Sequence, residues 1–186
     1  MGLVLRLATD ADIPALRELI PASVRALSAG YTERQVERAL GVVFGVDTQL
    51  IADGTLFIAE WDGILAGCGG WSKRRTLYGS DEGRASESSE AKYRDPAVDP
   101  ALIRAFFIHP DFGRRGIGRR LIAACESAAW DAGFRRIELG ATLAGEPLYA
   151  SAGYVVTSRF EIELADGEKL QASHMAKNLV SRPSLE

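Results

Sequence analysis

Ile108-His109-Pro110-Asp111-Phe112-Gly113-Arg114-Arg115-Gly116-Ile117-Gly118-Arg119-Arg120-Leu121 is the stretch on which the reading of this chain turns. Before it, Ala101–Ile108 is an apolar run broken only by Arg104 and halted by Pro110, which predicts a buried strand. After it, Ile117, Leu121, Cys125, Ala128 and Ala132 recur every three or four positions and predict a helix that Gly133 ends in the left-handed conformation. A strand therefore feeds a glycine-punctuated turn that becomes a helix start. The first amides of a helix lack internal partners and lie at the positive end of its dipole. Gly116 and Gly118 let backbone approach an anion closely, and Arg114, Arg115, Arg119 and Arg120 add positive charge. A phosphate or pyrophosphate is the natural ligand of such a turn, although an ordinary loop with solvated arginines has the same composition. A P-loop fails for want of Gly-Lys-Ser/Thr, and a dinucleotide fingerprint fails because Leu121 stands where its third glycine belongs.

Upstream, Leu3–Leu7 reads as a first strand, and Thr9 or Asp10 can cap a helix with Ile13, Leu16, Leu19 and Ile20 on one face. Pro14 suits its first turn. A second helix follows Tyr31, with Thr32 as cap, Gln35 in the capping-box position and Val36, Leu40 and Val43 on one face. Leu56–Trp61, Asp62-Gly63 and Ile64–Cys68 form the strongest hairpin signal, because Asp-Gly supplies the positive φ angles of a tight turn. Residues 72–100 are polar and without periodicity, a long loop or mobile insertion. Downstream come a short strand at Arg136–Leu139 and a brief helix at Glu146–Ala152 closed by Gly153. A final hairpin, Tyr154–Leu164 with Lys169–Leu179, turns at Ala165-Asp166-Gly167. The order β-α-α-β-β-β-α-β-α-β-β is mixed α/β, read as one domain over residues 1–180 with a tail at 181–186.

With 186 residues, 47% of them hydrophobic and 25% charged, the chain can bury a full single-domain core. Its 22 basic and 25 acidic residues leave a formal charge of -3, which argues against a nucleic-acid binder. No stretch approaches the roughly 20 apolar residues of a membrane span, and the N-terminus lacks a secretory layout. Cys68 and Cys125 supply neither a disulfide framework nor a CxxC zinc motif. The expectation is a cytoplasmic protein without metal, nucleic-acid or membrane partners.

The segment 101–154, with its HPxFxRRGIGxxL layout and the later Pro147-Leu148-Tyr149-Ala150-Ser151-Ala152-Gly153-Tyr154 block, resembles the GNAT superfamily of N-acetyltransferases. The resemblance implies a mixed, mostly antiparallel central sheet flanked by helices, and acetyl-CoA as acetyl donor with no metal. It places Phe106, Phe107 and Ile108 beside the acyl and pantetheine arm, and Gly113, Arg114, Arg115, Gly116, Ile117, Gly118 and Arg119 around the pyrophosphate. Gly113 stands where the family carries Gln or Arg. Leu143 or Ala144 stands where it often carries a cofactor-contacting Asn. Tyr149 matches the family's frequent general acid, protonating the departing thiolate, whereas without the resemblance it reads as a core aromatic. Glu138 matches a position where some members carry a base, and Arg104 occupies a region where others carry glutamate. The loop acids Glu82, Glu87 and Glu90 cannot be ranked; His109, His174, Cys68 and Cys125 read as structural. The resemblance implies direct transfer to a small-molecule or peptide amine, with the acceptor among the Tyr31 region, Trp71, Tyr78 and the polar loop. It is compatible with a homodimer. A non-catalytic acyl-CoA-binding sensor is the competing reading.

Overall fold

A computed structural model describes residues 2–75, 80–81 and 93–184. Tyr78, Glu82, Glu87, Glu90 and the last two residues of the tail lie outside that set. Seven strands make one sheet: β1 (Leu3–Leu7), β2 (Leu56–Trp61), β3 (Ile64–Ser72), β4 (Ala101–Ile108), β5 (Arg136–Thr142), β6 (Val155–Glu163) and β7 (Lys169–Asn178). Their spatial order is β1-β2-β3-β4-β5-β7-β6, and only β4 and β5 run parallel. Both tight turns form as their residues dictate. Asp62 and Gly63 take φ of 51° and 81°, and Asp166 and Gly167 take 63° and 76°.

Helices α1 (Ile13–Leu27), α2 (Glu33–Ala39) and α3 (Thr48–Ala52) share a core with one face of the sheet, in which Leu16, Leu19, Leu50 and Ile58 are buried. Helix α4 (Ile117–Asp131) covers the other face. There Ile122, Cys125 and Ala129 pack on Ile103, Ile137 and Leu139, together with Tyr149 of α5 (Glu146–Ser151). The capping box at Thr32 forms, with the Gln35 amide donating to Thr32 Oγ1 at 3.2 Å. The helix it starts is shorter than its apolar spacing predicts. Leu40 turns extended at ψ 135° and Gly41 takes φ 86°, so Val43 falls in the α2–α3 connection. Helix α3 is an element the sequence reading lacks. Its five residues are too few to show a period, and the Asp47 cap, accepting from Leu50 N at 3.3 Å, is its one local sign.

Strand β4 is not the uninterrupted strand its composition predicts. Ala105 adopts φ 59°, and the pairing with β3 shifts between Cys68 and Gly70. The bulge inserts one residue, so that the side-chain alternation changes phase after Arg104. Phe107 consequently joins the core under α1, while Phe106 packs on the α4 side. Within the segment 72–100, Ser72 completes β3 and Arg74 bridges to Tyr93, its guanidinium also held by Asp53 at 2.7 Å.

Candidate active site

Strands β4 and β5 pair only where Ala101, Leu102 and Ile103 meet Ile137, Glu138 and Leu139. Beyond that point they part, and a cavity of about 240 Å³ opens between Arg104–Ile108 and Gly140–Thr142. Phe106, Phe107 and Ile108 all line it, as do Leu148 and Tyr149. A splayed parallel pair leaves strand-edge peptide groups that a linear, amide-bearing ligand can satisfy.

The turn leading to α4 borders this wedge. His109 caps its first bend, with Nδ1 accepting from Asp111 N at 3.3 Å, and Gly113 N donates to Pro110 O at 3.1 Å. Arg114 takes φ 64° and Gly116, the N-cap, φ 80°. The Arg120 amide reaches back to Gly116 O at 3.1 Å; the amides of Ile117, Gly118 and Arg119 precede any intrahelical acceptor. Of the arginines, Arg119 donates to the Ser151 carbonyl at 3.2 Å and Arg115 lies over the rings of Trp61 and Phe112. Among the described residues Arg114 and Arg120 have no hydrogen-bond or ion-pair partner, and both are exposed. Positive φ belongs to Gly116, not Gly118. Gly118 is needed for space: a Cβ there would come within 2.9 Å of Leu148 Cδ2.

Tyr149 is 8% exposed and sits edge-on between Phe106 and Tyr154, each 6.0 Å away by ring centroid. Burial, with a smaller push from Cys125, raises its phenol well above the usual value of 10. The group is therefore a neutral hydrogen-bond donor at any ordinary pH, on a residue that lines the wedge. Both thiols are neutral for the same reason, Cys68 being pushed up to about 12 and Cys125 well above its usual value.

Residues 27–154 match the profile of the acetyltransferase (GNAT) family. The chain belongs to that family. Solved structures share its fold. A GCN5-related N-acetyltransferase from Rhodopseudomonas palustris superposes with a TM-score of 0.70 at 24% identity, over 96% of this chain and 97% of that one. The yncA protein from Salmonella typhimurium, solved with its cofactor acetyl-CoA, gives 0.63 at 17% identity over 100% and 99%. The PaiA N-acetyltransferase from Thermoplasma acidophilum, solved with coenzyme A, gives 0.64 at 17% identity over 96% and 99%. No curated protein matches the chain in sequence.

Two other residues expected at the site, Glu138 and Trp71, are not on the cavity wall, and His174 is packed as a structural residue. Glu138 stands on β5 where β4 and β5 are still paired, before the wedge opens, and its carboxylate is held by Arg136 at 2.7 Å. It is not among the residues lining the cavity. Trp71 is 7% exposed, edge-on to Phe134 at 6.1 Å in the α4-side core, so it is no wall of the cavity. His174 stacks on Phe160 at 4.2 Å.

Arg104 and the Tyr31 region were singled out from the sequence, but the partners each takes at the site lay beyond sequence reasoning. Arg104 and Asp47 form a buried ion pair at the cavity wall, with Nε to Oδ2 at 2.7 Å. An arginine inside an apolar strand was its one signal, and nothing local names its partner. Tyr31 Oη donates to Gln171 O at 2.5 Å and accepts from Leu143 N at 3.0 Å. Among the described residues no helix is long and apolar enough to cross a membrane, and no group of His, Cys, Asp and Glu could hold a metal ion.

Proposed function

We propose that this chain moves the acetyl group of acetyl-CoA directly to the nitrogen of an amine, within a complex that holds both substrates. The observation that carries the reading is Tyr149, with its neutral phenol, in the lining of the β4–β5 wedge, together with a helix start whose first amides lack intrahelical acceptors. The residues fit the donor. The wedge accepts a linear pantetheine arm along Phe106, Phe107 and Ile108. Within the stretch from Gly113 to Arg119, the amides of Ile117, Gly118 and Arg119 and the exposed arginines meet a pyrophosphate, the Gly113 N–H being already bonded to Pro110 O. Acetyl-CoA supplies an activated thioester. Tyr149 holds a proton where the thiolate sulfur must leave, and its hydroxyl, unlike a solvent water, is fixed by the rings of Phe106 and Tyr154.

The acceptor's ammonium must first lose a proton, to Glu138 or to solvent, so that the neutral amine nitrogen can attack. Glu138→Gln separates the two. A loss of about a hundredfold in kcat/KM near neutral pH, shrinking as pH rises, assigns the proton to Glu138, and an unchanged value assigns it to solvent.

The direct test is thermal. At 100 times its Kd, acetyl-CoA adds about 2.7 kcal/mol, a rise of about 5–10 °C in Tm for a domain of this size. CoA should act nearly as well and NAD hardly at all. Absence of a shift with both CoA species would sink the reading. A shift without release of CoA thiol over an amine panel would leave an acyl-CoA sensor instead.

A further inference from the structure

The same cavity is walled in one compartment by the C-terminal end of α1, the α2–α3 connection and the β6–β7 hairpin. Leu27, Val43, Phe44, Phe160, Ile162 and Leu170 line it there with apolar side chains, beside the hydroxyl of Ser28. Among the described residues lining the cavity only Asp47 and Arg104 carry formal charge, and they pair with each other, with side chains 2% and 4% exposed. Tyr31 fastens the α1–α2 connection to Gln171 and Leu143, whose sequence neighbours Leu170, Ala172, Thr142 and Ala144 are themselves wall residues.

We infer that the acceptor is a small primary amine whose body is apolar and uncharged, its nitrogen directed at the thioester beside Tyr149 and its hydrocarbon packed in this compartment. The inference rests on the acetyl-transfer reading and deepens it. A second ammonium, as in a polyamine or a basic sugar, would be stripped of water against apolar walls where the one carboxylate among the described residues, Asp47, already serves Arg104. A carboxylate on the acceptor meets the same obstacle from the other side, because Arg104 already serves Asp47. A peptide would bring backbone N–H and C=O groups that each need a partner, and among the described residues of this compartment the wall offers only a few hydroxyls such as Ser28 and Thr142. Hydrocarbon has no such cost and gains with every methylene removed from water.

Straight-chain alkylamines from ethylamine to pentylamine share nearly one basicity, so their rates isolate burial. With saturating acetyl-CoA and free thiol as readout, kcat/KM should climb about fourfold per methylene. Capping pentylamine with a second amine, as 1,5-diaminopentane, should cost at least about tenfold. Leu27 lies at the rim, 43% exposed, so Leu27→Asp can be made without disturbing the core. It should lower kcat/KM for pentylamine at least about tenfold and narrow the gap to the diamine, with acetyl-CoA affinity by calorimetry unchanged. Rates flat with chain length, a preferred diamine, an indifferent Leu27→Asp, or acetyl-CoA binding with no alkylamine turnover would each overturn this inference. Failure of acetyl-CoA to bind at all would instead remove the reading beneath it.

Discussion

At the scale of single residues, Tyr149 carries the chemistry, and its burial changes what a pH profile should show. An exposed phenol with a pKa near 10 would begin to lose its proton at the alkaline end of an assay. Here desolvation raises the value, so the proton stays in place and no limb belonging to Tyr149 enters the accessible range. Tyr149→Phe keeps the ring between Phe106 and Tyr154 and removes one hydroxyl. Loss of acid assistance should cost about 10²–10⁴ in kcat, appearing equally in kcat/KM and evenly across pH. Acetyl-CoA affinity, measured alongside, should stay near the parent value. A variant within about threefold of the parent kcat would make water the proton source and Tyr149 a packing residue.

At the scale of elements, the start of α4 uses its two glycines differently. Gly116 supplies a left-handed φ of 80° with open space around it, so Gly116→Ala should cost about 1–2 kcal/mol of backbone strain, read by denaturant unfolding. Gly118 is helical but touches α5, where a Cβ meets Leu148 at 2.9 Å. Gly118→Val should displace Leu148, the neighbour of Tyr149, and weaken acetyl-CoA binding at least about tenfold with the fold kept. Unchanged affinity in a folded Gly118→Val protein would place the phosphate cradle elsewhere. Elements of this kind were legible because their signals are local. Asp62-Gly63, Asp166-Gly167, Gly133 and Gly153 all took the positive φ angles their turns demand. What the sequence hid was non-local or atypical. The bulge in β4 falls on Ala105, a residue that rarely adopts φ 59° and so carries no signature. The Arg104–Asp47 pair joins positions that only the folded sheet brings together. Trp71 was read toward the acceptor although its place is settled by the register between β3 and β4, which pairs it with Ile103.

At the scale of the whole molecule, the same cavity and core impose a pH dependence on stability. Cys68, Cys125, Tyr149 and Tyr154 are buried, and in the folded chain all four hold their protons above the usual range. In the unfolded chain the thiols ionise near 9 and the phenols near 10. Above those values the unfolded state binds fewer protons than the folded one, so stability must fall as pH rises. Each thiol contributes about 1.4 kcal/mol per pH unit once the unfolded form has ionised, and two together about 2–3 kcal/mol between pH 9.5 and 10.5. The acid side runs the other way. Asp12, held at about 2 by Arg6, adds stability that is present above its usual value near 3.8 and is lost as pH falls through 2. Neither effect operates near neutrality, so a plateau from about pH 5 to pH 8 should precede the alkaline decline. Urea unfolding at half-unit steps from pH 7 to pH 10.5 measures it. Cys125→Ala should begin from lower stability, since it leaves a gap under α4, yet decline less steeply because one titrating thiol is gone. A parent curve flat to pH 10.5, or a Cys125→Ala curve of equal slope, would mean that the thiols ionise as freely in the folded chain as in the unfolded one.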